Sequence, residues 1–464
     1  MHHYTQTVFS PRRFFVRRVA LRIVAAFALL WGVLFPCALQ AGSRSPDKAA
    51  EQEWIAATVR FAVEQTDRML QSLDPAATPT QYPRTTDKNG RLTTVGMHEW
   101  TSGFFPGVLW YLYELSGDDA LKSHAEAWTQ TLEPLKTYTA THDLGFMLYN
   151  SFGHRRRLAA GDTAAVDAVL WQGARSLASR FNDTVQSLKS WQGGRSWHGS
   201  QWAFPVIIDN MMNLELLMWA ARNAPGTDEA DRFRHIAAAH AGTTIKNHLR
   251  PDYSCYHVVD YDPATGRVRE KGTAQGWSDQ STWARGQAWG IYGFTMMFRE
   301  TGDRAYLETA ERMAGFFLTH PRLPDDKIPY WDFNAGQPGY TPVWPDRTPA
   351  LPLPPDRFPV AQYRDASAGA ILAAALFELY TYTGNEVFRA AATDILHRLA
   401  SDDYRATPGE NAGFLLKHGV GSIPHGSEID VPLIYADYYF LEALLRYKKL
   451  LERRTPQRGD EEWS

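Results

Sequence analysis

From residue 53 onward the chain alternates between two apolar patterns. Segments 102–115, 144–152, 208–222, 285–300, 366–381 and 431–447 carry aromatic and small apolar residues on all sides. Segments 53–73, 120–138, 163–181, 229–249, 304–319 and 386–399 carry an apolar stripe at helical spacing, with charges opposite. A helix that is apolar all round is buried, and an amphipathic one covers it. Six of each in alternation predict an all-α fold, an (α/α)6 barrel of six helical hairpins with the apolar helices inside.

The same joint recurs between segments. A helix ends on glycine and an acid or amide starts the next, at Gly117-Asp118, Gly302-Asp303 and Gly384-Asn385, with a looser form at Pro225-Gly226-Thr227-Asp228. Glycine permits the left-handed backbone that ends a helix, and a short polar side chain caps the following one. Strand-like alternation is scarce. The best hairpin is Tyr256-His257-Val258-Val259-Asp260-Tyr261 followed by the turn Pro263-Ala264-Thr265-Gly266. The apolar run Phe204-Pro205-Val206-Ile207-Ile208 meets a helix start at Asp209, where an acid can act as a cap. Residues 193–201 and 334–360 break the repeat. The second stretch holds Pro349, Pro352, Pro354, Pro355 and Pro359 and must be a loop. Long loops of this kind are often binding elements.

Composition narrows the picture. The 464 residues, 44% of them apolar, suffice for a large core. A formal charge of −3 with no polybasic arm argues against nucleic acid as a partner. Residues 1–42 read as a secretory signal. Arg12, Arg13, Arg17, Arg18 and Arg22 precede an apolar segment, 23–39, shorter than the ~20 residues a membrane span needs. Ala38-Leu39-Gln40-Ala41 is a small-residue cleavage pattern, and Arg12-Arg13-Phe14-Phe15-Val16 is similar to a twin-arginine signal. The expectation is an exported, periplasmic protein whose remaining part, 43–464, is one barrel domain without a membrane span. Cys37 falls in the signal, so Cys255 is left alone and no internal disulfide forms. The 16 Trp and 21 Tyr suit a sugar-binding cleft, and a large core almost as well.

Candidate chemistry gathers where the inner helices start. Thr141-His142-Asp143, Asp209-Asn210, Gln275, the run Trp283 to Trp289, Arg364-Asp365 and Glu428-Ile429-Asp430 all fall there. Each acid alone is ordinarily a helix cap. Acids, arginines and tryptophans converging on one end of a ring make a site. There is no P-loop, dinucleotide fingerprint, His-Glu-x-x-His, paired Cys/His set or serine elbow, so neither a cofactor nor a metal is expected. His235, His240 and His248 read as packed or solvated side chains of an outer helix. What is left is acid/base chemistry by carboxylates, the work of glycosidases.

These residues resemble the unsaturated glucuronyl hydrolases, glycoside hydrolase family 88. The matching pieces run in order through nearly all of 43–464. They are Trp100-Thr101-Ser102-Gly103-Phe104-Phe105-Pro106-Gly107, His142-Asp143-Leu144-Gly145-Phe146, Ile207-Ile208-Asp209-Asn210-Met211-Met212-Asn213-Leu214, Tyr256-His257, Gln275-Gly276, Trp283-Ala284-Arg285-Gly286-Gln287-Ala288-Trp289, Ile328-Pro329-Tyr330-Trp331-Asp332-Phe333 and Tyr435-Ala436-Asp437-Tyr438-Tyr439. The resemblance implies the same (α/α)6 barrel and an unusual reaction. A carboxylic acid protonates C4 of a 4,5-unsaturated uronate, water adds at C5, and the hemiketal opens to release the adjoining sugar. The substrate would be an oligosaccharide left by a polysaccharide lyase, foremost a glycosaminoglycan disaccharide. Carried over, Asp209 is the acid/base and Asp143 its partner, holding ring hydroxyls and keeping Asp209 protonated by charge repulsion. His142, His257, Gln275 and Arg285 would line the substrate, with Arg285 on the uronate carboxylate. Trp289 and Trp100 would stack on sugar rings, and either Trp197 or Trp202 would supply a further wall. The 334–360 stretch looks like an insertion that reshapes the leaving-sugar side. The family's sulfate-contacting signature is not evident in Gly421-Ser422-Ile423-Pro424-His425, so sulfated and unsulfated substrates both stay open. Two alternatives accompany this reading: an unsaturated rhamnogalacturonyl hydrolase, and a non-catalytic carbohydrate-binding barrel.

Overall fold

In a computed structural model the described residues are 48–73, 80–158, 161, 163–224, 226–344 and 362–452. The expected signal, the proline cluster at 349–359 and the charged tail beyond 453 lie outside them. The chain divides into two units, Met1–Glu51 and Gln52–Ser464. Only the first residues of one helix are described in the former, and the latter holds the fold.

Among the described residues the outer helices are α1 (Lys48–Ser72), α3 (Asp119–Gln130), α5 (Ala164–Ala178), α7 (Asp228–His248), α9 (Arg304–Thr319) and α11 (Glu386–Leu399). The inner ones are α2 (Phe104–Ser116), a π-helical run (Gly145–Gly153) continued by α4 (His154–Leu158), α6 (Asn210–Asn223), α8 (Ala284–Thr301), α10 (Ala366–Thr383) and α12 (Ile434–Glu452). Each inner element packs on the next, and α12 returns to α2, so the ring closes. The inner helices bury almost every residue, down to Glu378 and Arg446. On the outside Trp54 of α1 stacks on His397 and meets Tyr447 edge-on. The glycine joints form as the pattern predicts. Gly117, Gly302 and Gly384 are left-handed at φ 76°, 71° and 66°, and Asp118, Asp303 and Asn385 each accept a cap bond. At the looser joint Thr227 is the cap.

Three expected segments differ in detail. The 120–138 helix stops at Gln130 and a 3₁₀ turn, Glu133–Thr137, follows, with Pro134 at its start. The second inner segment is π-helical, a form concentrated at functional sites. The last inner helix starts at Ile434, because 427–431 pairs as a strand.

Short antiparallel sheets decorate the ring. β1 (Tyr82–Thr86) pairs with β2 (Leu92–Val95), and β3 (Phe181–Asn182) with β4 (Ser187–Leu188). The apolar run before Asp209 is strand β5 (Phe204–Ile207), paired with β6 (Val258–Tyr261), which pairs in turn with β7 (Val268–Gly272). The expected hairpin is thus present and gains a third strand. β8 (Gly419–Ser422) pairs with β9 (Ser427–Val431). The ends of the barrel differ in kind. Away from the inner-helix starts, Arg299 donates to Glu378 at 2.9 Å, Arg446 pairs with Glu378 at 2.8 Å, and Tyr292 donates to Glu442 at 2.9 Å. This buried ionic layer lines a cavity of about 70 Å³. At the other end a cavity of about 610 Å³ opens.

Candidate active site

Asp209 follows β5 after one residue, Ile208. Its backbone, φ −58° and ψ −26°, is already helical, and its side chain makes no cap bond. A capping residue needs extended backbone, so Asp209 is released from that role. Asp365, at φ −120° and ψ 94°, does cap, accepting from Ser367 N at 3.0 Å. The segment before Asp209 is anchored from both sides. Ile208 N donates to His257 O at 3.1 Å, and Ile207 N donates to Ser190 Oγ at 2.9 Å. Asp143 is brought beside it by close packing. A Cβ at Gly145 would lie 2.6 Å from Asn213 Cα, and Phe146 N donates to Asn213 Oδ1 at 2.9 Å. Glycine is what lets the π-helical run approach α6 this closely.

The two carboxylates sit in contrasting surroundings. Asp209 Oδ2 is buried without a hydrogen-bond partner. Burial pushes the Asp209 carboxyl up to about 7; Arg285 opposes this, Asp143 adds to it, and the Trp289 indole N–H favours the anion. Desolvation therefore leads and the second carboxylate assists. His257 Nε2 stands 3.7 Å from Asp209 Oδ2, and its Nδ1 accepts from Ala274 N and Gln275 N at 3.1 and 3.2 Å. Burial drives the His257 imidazolium far below its ordinary range, so the ring is neutral with its proton on Nε2. Asp143 accepts from Thr141 Oγ1 at 2.7 Å, and its other oxygen lies 3.1 Å from His142 Nε2.

The other predicted residues separate into two groups. Gln275, Trp100, Trp197 and Trp202 line the 610 Å³ cavity, so both tryptophan candidates face it. Trp197 donates to Ala274 O at 3.1 Å and Trp202 stacks on Trp191, a wall residue the sequence reading missed. His142, His257, Arg285 and Trp289 are at most 3% exposed and lie in the layer behind. Arg285 is held by Asp365 at 3.0 Å and Gly421 O at 2.7 Å, and by Val420 O, so its charge is already matched. It is sandwiched by the Trp283 and Tyr435 rings. Trp289 packs against Phe146 and Tyr439 and is fully buried. Ser190 was also missed. It receives His142 Nδ1–H and Arg180 at its carbonyl and touches Asn210 through its hydroxyl, tying both aspartate segments together. Nothing in a lone serine marks that junction. The described part of the 334–360 stretch docks on Trp277, with Val343 N donating to Trp277 O at 2.9 Å, and is not on the cavity wall.

Two carboxyls whose charges act on each other, one of them lifted to about 7, stand at the end of an (α/α)6 barrel where a tryptophan-walled cavity opens, the arrangement of a carbohydrate-active enzyme. No protein-family model matches the chain. It is 44% identical over 354 residues to the unsaturated glucuronyl hydrolase of Formosa agariphila, covering 76% of this chain and 81% of that protein. It is 31% identical over 378 residues to the unsaturated chondroitin disaccharide hydrolase of Streptococcus pyogenes, covering 79% and 86%. The crystal structure of an unsaturated glucuronyl hydrolase specific for heparin superimposes with a TM-score of 0.75 at 43% identity, covering 86% of this chain and 98% of that one. The chain belongs to the unsaturated glucuronyl hydrolase family.

Proposed function

We propose that the protein hydrates the C4–C5 double bond of the unsaturated uronate at the non-reducing end of lyase-made glycosaminoglycan disaccharides, releasing the adjoining sugar. The observation that carries this is Asp209: a buried carboxyl lifted to about 7, with an unpartnered oxygen, at the barrel end where the 610 Å³ cavity opens, though not itself among the lining residues. The protonated Asp209 gives its proton to C4, and positive charge develops at C5 and the ring oxygen. Water then adds to C5 and returns a proton to the Asp209 carboxylate. The C5 hemiketal opens to a ketone, the ring oxygen takes the hydroxyl proton, and C1 is left as a hemiacetal that expels the neighbouring sugar as its alcohol. Neutral His257, with Nε2 3.7 Å from Asp209 Oδ2, is close enough to steady the anion formed in the first step. Trp100, Trp197 and Trp202 hold the disaccharide, and Gln275 hydrogen-bonds it. Heparin-type disaccharides are favoured over chondroitin-type, supported by 43% identity to the heparin-specific structure against 31% to the chondroitin enzyme. The test is incubation with heparin-, chondroitin- and rhamnogalacturonan-derived unsaturated disaccharides while following the ultraviolet absorbance of the double bond. No loss with any of them overturns the activity, and fastest loss with chondroitin products reverses the preference.

We also infer export by the twin-arginine route. Among the described residues no helix is long and apolar enough to cross a membrane. Replacing Arg12 and Arg13 by Lys should leave the protein in the cytoplasmic fraction; unchanged export sinks the inference.

A further inference from the structure

Arg84 and Arg195 are the cationic side chains that line the 610 Å³ cavity, and their charges are matched very differently. Arg84 donates to both oxygens of Glu428, at 2.5 and 3.1 Å, and to Glu99. Two carboxylates thus outweigh its charge. Arg195 forms no ion pair among the described residues, and its guanidinium reaches only Gly199 O, at 3.4 Å. His425 adds no charge to the wall. Its Nδ1 is bonded to Ser422 Oγ at 2.6 Å, and burial holds the ring below its ordinary range, neutral at pH 7. The cavity therefore presents one unmatched positive charge.

The segment that carries this charge is fixed in place. Trp202 N donates to Gly194 O at 3.0 Å and Ser196 N to Ser200 O at 2.9 Å, closing a small hairpin around Arg195. Trp197 Nε1 ties the hairpin to Ala274 O at 3.1 Å, and His198 Nε2 meets Asp279 Oδ2 at 2.5 Å. Gly194 is at φ 145°, and a Cβ there would lie 2.8 Å from Trp202 Cε3, so glycine is what lets the turn close on that ring. Arg195 is exposed whereas Tyr435 on the same cavity is 0% exposed, which puts the arginine on the outer rim.

We propose that Arg195 pairs with a sulfate group on the leaving sugar and gives the site a preference for sulfated disaccharides. The inference rests on the proposed reaction: with the uronate drawn inward towards Asp209, the leaving sugar faces the rim. A planar guanidinium offers parallel N–H donors to the oxygens of a sulfate, and its charge selects an anion over a hydroxyl. Glu428 cannot take over this role, since a carboxylate repels a sulfate. The group recognised is a sulfate carried on nitrogen or on oxygen, the two forms that a glycosaminoglycan amino sugar offers.

The test is calorimetric titration of the full chain carrying Asp209→Asn, so that the ligand is not consumed, with unsulfated, N-sulfated and 6-O-sulfated heparin-type unsaturated disaccharides. At least one sulfated form should bind about fivefold tighter than the unsulfated one, the scale of an exposed ion pair, and the form that does identifies the sulfate. Adding Arg195→Gln should bring the ratio of the two dissociation constants to about one, and Arg195→Lys, which keeps the charge, should retain part of it. A general loss of structure would weaken all three ligands alike and leave the ratio in place. Equal binding of all three in the protein with Arg195 intact, or a sulfate preference that survives Arg195→Gln, overturns the proposal. Binding is read without turnover, so the ultraviolet assay of the wild-type protein judges the reaction separately.

Discussion

His257 Nε2 lies 3.7 Å from Asp209 Oδ2, and backbone N–H groups of Ala274 and Gln275 fix the other ring nitrogen as an acceptor. The imidazole is therefore a neutral donor turned towards a carboxyl that is itself held near its neutral form. Such a pair stabilises the carboxylate once its proton has left without adding a permanent charge that would make it leave early.

Asp209→Asn should lower turnover by about 10²–10⁴ while helical circular dichroism stays unchanged. Stability should move the other way. A folded pKa of about 7 against 3.8 when unfolded means that the Asp209 contribution is fully present below 3.8 and lost as pH rises through 7. The asparagine cannot ionise, so at pH 9 the variant should unfold at higher urea than the wild type, by about 4 kcal/mol at most. A variant less stable than wild type at pH 9 and equal at pH 5 would contradict the assignment.

Trp289→Phe separates tuning from stacking. The indole is fully buried and its N–H, which has no hydrogen-bond partner, is the smallest of the influences that favour the Asp209 anion. Losing that N–H should raise the Asp209 pKa and carry the basic limb of kcat to higher pH, with KM little changed. A large rise in KM with a fixed pH profile would restore the stacking role.

The helices were legible because burial imposes a 3.6-residue period, and the Gly-Asp joints because left-handed backbone and capping are local chemistry. Asp209 and Asp143 were legible as motif residues. What was hidden depends on distant partners. Asp209 is not a cap because β5 delivers it in helical backbone, and β5 exists only by pairing with β6, more than forty residues on. Arg285 reads as a free cation until Asp365 and the carbonyls of β8 close around it. The π-helical turn at Gly145 has no signature of its own, since it results from fitting that run against Asn213.

Arg285→Gln tests that enclosure. Removing the guanidinium leaves Asp365, which is 0% exposed, without its countercharge, and such a loss costs about 3–5 kcal/mol. Adding Asp365→Asn should return a large part of it in urea titrations. If Arg285→Gln keeps wild-type stability and only KM rises, the arginine binds substrate after all.

Acid sensitivity should come from behind the site. His240 Nδ1 accepts from Leu188 N at 3.1 Å, and His248 Nε2 is bonded to Val206 O at 3.0 Å; both rings are buried. Burial is the main cause that takes His240 down to about 3 and His248 to about 4. Both folded values lie below the unfolded value of 6.5, so between these limits the unfolded chain binds protons that the folded one refuses. Stability is therefore lost as pH falls from 6.5, by about 1.4 kcal/mol per pH unit for each ring, and the loss levels off below the folded values. In His240→Asn the side-chain oxygen can still accept from Leu188 N but cannot titrate. Its urea midpoint should fall less than that of the wild type between pH 6.5 and pH 4.5, at similar stability at pH 7.5. Parallel slopes for the two proteins would show that His240 takes up its proton in the folded state as readily as in the unfolded one.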